Sequence, residues 1–140
     1  KNPSAWRRLP VQRNARWHDG RTVLIGDALR TAHFSIGSGT RLAFEDAIAL
    51  AKALDANWGD VPAALADFEA ARRPIVETLT AAADASAAWY EDFAEHIRLA
   101  PIDFALSYIQ RSGRVDLDRL ARIAPAFVAR VRAERPELPR

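Results

Sequence analysis

Between Ala43 and Ala105 the sequence holds one glycine, Gly59, and most of the chain's 29 alanines. Alanine loses least on entering a helix and glycine most, so this stretch is committed to α-helix. Any strands must then lie in the first third of the chain. The spacing predicts a first helix from about Thr40 to Ala56, with Leu42, Ala43, Ala47, Ile48, Leu50, Ala51 and Leu54 on its buried face. A second begins near Asp60, which can cap it while Pro62 occupies the first turn, and runs through Phe68 and Ala71. Pro74 lacks a backbone donor and is predicted to kink or restart it, with a continuation from Ile75 to about Leu99, before Pro101. Two shorter helices are expected near Asp103–Gln110 and Asp116–Ala121, broken by Arg111-Ser112-Gly113. A last turn-rich helix is expected over Pro125–Glu134. The fold class is thus mostly α with one or two strands.

In the first third, Arg21-Thr22-Val23-Leu24-Ile25-Gly26 is an apolar, β-branched run between turn residues and reads as a buried strand. A weakly alternating segment near Leu9 to Trp17 could pair with it around His18-Asp19-Gly20. From Asp27 to Gly39 no periodicity is visible, and a loop of that length inside a domain is usually functional. Asp27 follows the strand; ionised, it accepts hydrogen bonds only, which suits a pair of ligand hydroxyls. Gly37-Ser38-Gly39 precedes the Thr40 helix, whose unpaired N–H groups and positive dipole end favour an anionic or electron-rich atom. On the residues alone a second reading stands equally: Asp27 caps a turn and the glycines merely close it.

With 140 residues the chain is one ordinary domain or a piece of something larger. Lys+Arg 20 against Asp+Glu 18 gives +2, too balanced for a nucleic-acid footprint despite a pI of 9.5. Cys 0 excludes disulfides, thiolate metal sites and a cysteine nucleophile, and no metal site is expected. No run approaches the roughly 20 apolar residues of a membrane span, and no signal-peptide pattern opens the chain, so a cytoplasmic location is expected. Met 0 suggests that Lys1 is not a translation start.

Val23-Leu24-Ile25-Gly26-Asp27-Ala28, then Gly37-Ser38-Gly39, then Glu45-Asp46-Ala47 with Leu50 and Leu54, resembles the second flavin-binding motif of the para-hydroxybenzoate-hydroxylase-like FAD monooxygenases. The resemblance implies an FAD/NAD(P)-binding monooxygenase fold of α/β or α+β type. It assigns Asp27, beside Gly26, to the ribityl chain of FAD, and the backbone of Gly37, Ser38, Gly39 and Thr40 to the flavin N1 and O2 edge. NADPH or NADH would be the reductant and O₂ the oxidant in the hydroxylation of an aromatic ring.

Where the common pattern has Ala-His after Gly-Asp-Ala and a proline further on, this sequence has Leu29, Arg30 and Phe34. Thr31-Ala32-His33-Phe34-Ser35-Ile36-Gly37-Ser38-Gly39-Thr40 instead is similar to the subgroup acting on aromatic acyl-CoA thioesters, salicylyl-CoA 5-hydroxylase and the monooxygenase part of 2-aminobenzoyl-CoA monooxygenase/reductase. Phe68 to Pro74, Trp89-Tyr90-Glu91 and Ser107 to Arg114 look similar to the same subgroup. Flavin hydroxylases of indole or tryptophan-derived compounds share a His-Phe-Ser-Ile-Gly loop, and a hydroxylase of such substrates or of free aromatic ones remains an alternative, as does a non-enzymatic helical module descended from such an enzyme. The family's Gly-x-Gly-x-x-Gly, which binds the FAD pyrophosphate, does not occur here. The chain therefore reads as the carboxyl-terminal part of a flavoenzyme whose missing FAD-binding part is its expected partner. Its expected divisions are 1–57, the end of the substrate-domain strand with the flavin motif; 58–134, a helical region; and 135–140, a linker or tail.

His33, in the loop beside the expected flavin, is the candidate catalytic side chain; with Phe34 it is a candidate substrate contact. The alternative for His33 is packing against Phe34 with a bond to a backbone carbonyl. His18 in a turn and His96 on a helix's polar side are read as structural. Arg30 either reaches the flavin edge or a phosphate, or pairs with the helix acids. Glu45 and Asp46 are expected to cap or pack in a helix's first turn, and Arg72 and Arg73 to bond carbonyls freed at Pro74. Trp89, Tyr90 and Phe93 form an aromatic cluster at i, i+1 and i+4 on a helix and read as core or a domain contact, with a pocket role as the alternative. From Arg111 to Arg140 eight Arg meet four acids, so this tail carries +4 and the rest −2. Arg111 and Arg114 are the candidates there for the phosphates of a CoA thioester, against a simple solvated surface.

Overall fold

Gly20, at φ +57°, reverses the chain between β1 (His18–Asp19) and β2 (Thr22–Val23), with His18 opposite Val23 and Asp19 opposite Thr22. Glycine at the first position of a two-residue loop matches the right-handed twist of the flanking strands. This hairpin belongs to a computed structural model that describes residues 5, 8 and 10–138. The chain divides into two compact units, Lys1–Thr80 and Ala81–Arg140.

The strand is shorter than the sequence predicts, although Leu24 extends the pairing by donating its N–H to the Trp17 carbonyl at 2.9 Å. The expected partner arm from Leu9 to Trp17 is not a strand; Leu9 itself lies outside the described residues. Residues 12–14 bond instead to the chain leaving α1 (Gly26–Leu29): Thr31 donates to the Gln12 carbonyl at 3.0 Å and Asn14 to that of Leu29 at 3.2 Å. Arg13 and Arg30 face each other there as an isolated antiparallel bridge, not as a second strand pair. The expected irregular loop is also corrected, since α1 occupies its start and a 3₁₀ turn, Phe34–Ile36, its middle.

α2 (Gly39–Ala56) follows as expected, with a rotated inner face. Leu42, Asp46 and Ala53 are buried and Ala49 and Leu50 pack on the core, whereas Ile48 is 56% and Phe44 68% exposed. Asp60 caps α3 (Val61–Glu91), its Oδ1 accepting from Ala63 N–H at 3.1 Å. The helix is continuous through Pro74. A mid-helix proline costs about 3 kcal/mol, but Phe68, Val76 and Leu79, on both sides of it, are buried in one core with Trp17, Leu29, Leu42, Ala53 and Ala64. Burial on that scale outweighs the loss, each large side chain contributing about 1.5–3 kcal/mol.

The second unit contains the end of α3, α4 (Phe93–His96), α5 (Pro101–Gln110), α6 (Leu117–Ile123) and α7 (Pro125–Glu134). The long helix expected to reach Leu99 ends at Glu91, with Asp92 leading into α4. Pro101 and Pro125 each open a helix, where the missing donor costs nothing. Asp116 caps α6 by accepting from Arg119 N–H at 2.7 Å, and Gly113, at φ +67°, makes the predicted break. α7 packs on α5 and α6. Trp89 is the buried hub, ringed by Phe93, Phe104, Tyr108 and His96, with its indole N–H donated to Ser107 at 2.8 Å. His96 is therefore not on a polar face; it stacks on Trp89 at 4.4 Å. No helix among the described residues is long and apolar enough to cross a membrane.

Candidate functional site

Gly26, the first residue of α1, has φ +57°, and a Cβ there would stand 3.1 Å from the Ala43 Cβ on α2. Glycine thus satisfies two demands at once, a left-handed backbone and close approach of α1 to α2. The next residue, Asp27, is exposed, and its carboxylate has no hydrogen-bond or ionic partner among the described residues.

Gly37, at φ +61°, closes the 3₁₀ turn by donating to the Phe34 carbonyl at 2.9 Å, and delivers the chain to Ser38. Ser38 is buried and its hydroxyl donates backward to the Ile36 carbonyl at 3.2 Å, so its side chain does not cap α2. The first helical donor that finds an acceptor is Leu42 N–H, at 2.9 Å from the Ser38 carbonyl. The N–H groups of Gly39, Thr40 and Arg41 have none among the described residues, as a helix amino end dictates. A Cβ on Gly39 would meet nothing within 4 Å and its φ is not positive. Neither strain nor packing against the described residues asks for glycine there; an unobstructed backbone is what it provides.

His33 precedes the 3₁₀ turn. Its Nδ1 accepts from Ser35 N–H at 3.3 Å and lies 2.8 Å from Ser35 Oγ, while its ring stacks on Phe34 at 4.4 Å. The packing on Phe34 is as the structural alternative expected; the bond is to an N–H and not to a carbonyl. The tautomer that accepts at Nδ1 carries its ring proton on Nε2. Phe34 is 74% exposed.

The largest departure from expectation lies beneath this surface. Asp46 is in α2's second turn, not its first, and is 0% exposed. Its Oδ2 accepts from Arg30 Nη1 at 2.8 Å and from Gly26 N–H at 3.2 Å; its Oδ1 accepts from Arg72 Nε at 3.0 Å. Arg30 and Arg72 are each 6% exposed. Arg72 Nη2 also stands 3.1 Å from Glu45 Oε2, whose other oxygen accepts from Arg41 Nε at 2.8 Å. The Arg41 hydrogen bond, ahead of its charge and of Arg72, holds the Glu45 carboxyl below the usual carboxylate range against the opposing effect of burial. Of the alternatives for Arg30, the structure shows the ion pair with a helix acid. Arg72 is corrected: it binds carboxylates, not carbonyls freed at Pro74. Arg73 pairs with Glu69 and Glu77, stacks 5.0 Å over Trp17 and donates to the Ala15 carbonyl at 2.9 Å. His18 stands 3.4 Å from Glu69. The sequence did carry a signal for Asp46: it falls on the 42, 46, 49, 50, 53 stripe, and an acid on a helix's buried stripe demands a buried cation.

In the second unit Arg111 lies 4.2 Å over the Tyr108 ring and 5.9 Å from that of Tyr90, and donates Nη1 to the Tyr108 carbonyl at 2.8 Å. Arg114 is exposed. A cleft of about 540 Å³ beside Arg111 is lined by Trp89, Ser107, Gln110 and Arg135, the last paired with Asp103. Arg135 thus ties the expected linker back to α5.

A family model described as FAD binding domain matches residues 4–83. Salicyloyl-CoA 5-hydroxylase from a Streptomyces species is 42% identical over 132 residues, covering 93% of this chain and 25% of that protein. The 3-hydroxy-4-methyl-anthranilyl-[aryl-carrier protein] 5-monooxygenase of Streptosporangium sibiricum is 51% identical over 90 residues, covering 64% and 25%. Protodeoxyviolaceinate monooxygenase of Chromobacterium violaceum is 42% identical over 106 residues, covering 76% and 28%. The chain spans about a quarter of the length of these relatives.

Proposed function

Because the chain belongs to the FAD binding domain family, we propose that it is the flavin-facing part of a longer FAD-dependent monooxygenase that hydroxylates an aromatic ring held as a thioester. One observation carries the reading. An exposed carboxylate and a row of N–H groups, all without a partner among the described residues, stand on two helices that Gly26 and Ala43 bring into contact. The residue set fits FAD: Asp27 suits the hydroxyls of the ribityl chain, and the Gly39 and Thr40 amides suit the electron-rich edge of the ring system. Gly37 and Gly39 leave that backbone uncovered, which explains a Gly39 that internal packing does not require.

Bound FAD would supply the redox chemistry, accepting two electrons from NADH or NADPH and passing them to O₂, so that one oxygen atom enters the aromatic ring and the other leaves as water. This chain's residues bind and orient. Asp27 fixes the ribityl chain through charge-assisted hydrogen bonds, and the α2 amino end stabilises negative charge at the flavin edge. Phe34 offers an exposed ring to an aromatic substrate, and His33 holds its proton on Nε2, available to a substrate oxygen. Arg111, stacked on Tyr108, and Arg114 are assigned to the phosphates of a CoA thioester. The Gly-x-Gly-x-x-Gly part that would hold the pyrophosphate belongs to the rest of the enzyme, and a cytoplasmic setting fits a nicotinamide-dependent reaction.

The thioester is favoured by the two relatives whose names contain CoA or an aryl-carrier protein. The likeness to protodeoxyviolaceinate monooxygenase, whose name contains neither, favours a second reading with a free aromatic substrate. Purification of the longer enzyme containing this sequence tests both. It should carry FAD and hydroxylate an aromatic acyl-CoA at the expense of NAD(P)H, and leave the free acid nearly untouched. Equal turnover of the free acid would move the assignment to the second reading, and a protein that takes up no FAD would end both.

A further inference from the structure

We propose that Asp46 is the positioning residue that sets the flavin-binding turn against α2, an inference that rests on the reading just given. Its carboxylate is fully buried and takes hydrogen bonds from three groups. From α1 it takes the Gly26 N–H, from the residue that ends α1 the Arg30 guanidinium, and from α3 the Arg72 guanidinium. Arg30 closes the ring by donating both Nη1, at 3.2 Å, and its own N–H, at 3.0 Å, to the Gly26 carbonyl. The peptide groups on both sides of the Gly26 Cα are therefore gripped, and the second of them carries the Asp27 nitrogen. Asp46 sits on the same helix whose amino end offers Gly39 and Thr40. One carboxylate thus links the two halves of the proposed cradle.

Stability alone does not explain such an arrangement. Buried ion pairs are commonly matched or exceeded by apolar side chains of the same volume, because desolvation offsets the attraction. What apolar residues cannot reproduce is a directional hold on a backbone N–H. Arg30 uses only Nη1 in these bonds, its Nε and Nη2 having no partner among the described residues. Fixing the turn is what distinguishes Arg30 and Asp46 from an apolar pair.

The test uses the complete flavoenzyme in its FAD-free and FAD-loaded forms, with FAD affinity, the visible flavin spectrum and urea unfolding measured for each variant. Asp46→Asn should weaken FAD about tenfold and alter the flavin band, and in combination with Asp27→Asn the total loss should fall about twofold or more short of the product of the single losses, because coupled sites are not additive. A purely structural role would lower the unfolding midpoint and leave affinity and spectrum of the folded fraction unchanged, and that result overturns the proposal, as does a double variant whose losses multiply. Arg30→Met keeps Arg72 opposite Asp46 and serves if Asp46→Asn does not fold; it should also weaken FAD. Independently, the Gly26 amide should exchange slowly in the wild-type enzyme, and rapid exchange there would refute the clamp. Wild-type enzyme that binds no FAD, or an Asp27→Asn variant that binds it normally, would refute the underlying reading instead.

Discussion

Asp27→Asn should separate binding from folding. The side chain is exposed and has no partner among the described residues, and surface changes of this kind stay within about 0.5 kcal/mol of wild-type stability. Asparagine keeps the size and one acceptor but loses the charge. A hydrogen bond to a charged group contributes about 1.5–3 kcal/mol, so FAD dissociation constants should rise by about 10- to 150-fold. Fluorescence titration of the apoenzyme with FAD measures the first quantity and urea unfolding of the same apoenzyme the second. Weakened FAD with unchanged unfolding is the expected pair. If FAD affinity stays at the wild-type value, Asp27 belongs to the turn and not to the cofactor. If unfolding shifts as far as affinity, the residue acts through the fold.

Gly26→Ala should destabilise the apoenzyme by about 1–3 kcal/mol, from a left-handed backbone and a Cβ pressed against Ala43; thermal unfolding within error of wild type would contradict the close approach. Glu45 titrates below the usual carboxylate range because of Arg41 and then Arg72. Its ionised form therefore favours the folded state, with that contribution complete above the ordinary carboxylate pKa and lost as pH falls through the lowered value. Glu45→Gln should flatten the acid limb of the stability profile, and an unaltered limb would show that Glu45 contributes nothing to it. Replacing Arg111 and Arg114 together with Gln should raise KM for an aromatic acyl-CoA with kcat nearly unchanged, since distant phosphate contacts bind ground and transition states alike. The difference should shrink with salt, and an unchanged KM would remove both residues from the substrate site.

Local chemistry made much of this legible. Composition placed the long helices, Pro125 and the capping acid Asp60 marked helix starts, and Gly20, Gly37 and Gly113 marked turns at which the backbone does adopt positive φ. The Gly-Asp turn and glycine-bearing helix start were visible because such sites depend on backbone geometry that few residues can adopt. Long-range pairing was not legible. The inner face of α2 could not be fixed from hydrophobicity, because one of its inward residues is Asp46 and two outward ones are Phe44 and Ile48. Continuity through Pro74 was missed because tertiary burial of Phe68 and Val76 outweighs a local penalty. The buried Asp46 cluster joins residues 16 and 26 apart in sequence, a distance over which no periodicity speaks.

A flavin site of which Asp27 and the amino end of α2 form one half, as proposed, must protect both segments when it is filled. Amide hydrogen exchange of the complete enzyme, with and without FAD, tests it most directly. The Gly39, Thr40 and Arg41 amides lack intramolecular acceptors among the described residues and should exchange quickly in the FAD-free form. Addition of FAD should slow exchange over residues 27–28 and 37–41 while leaving α7 unchanged. FAD-induced protection elsewhere in the enzyme, with these two segments unaffected, would place the flavin at a different site.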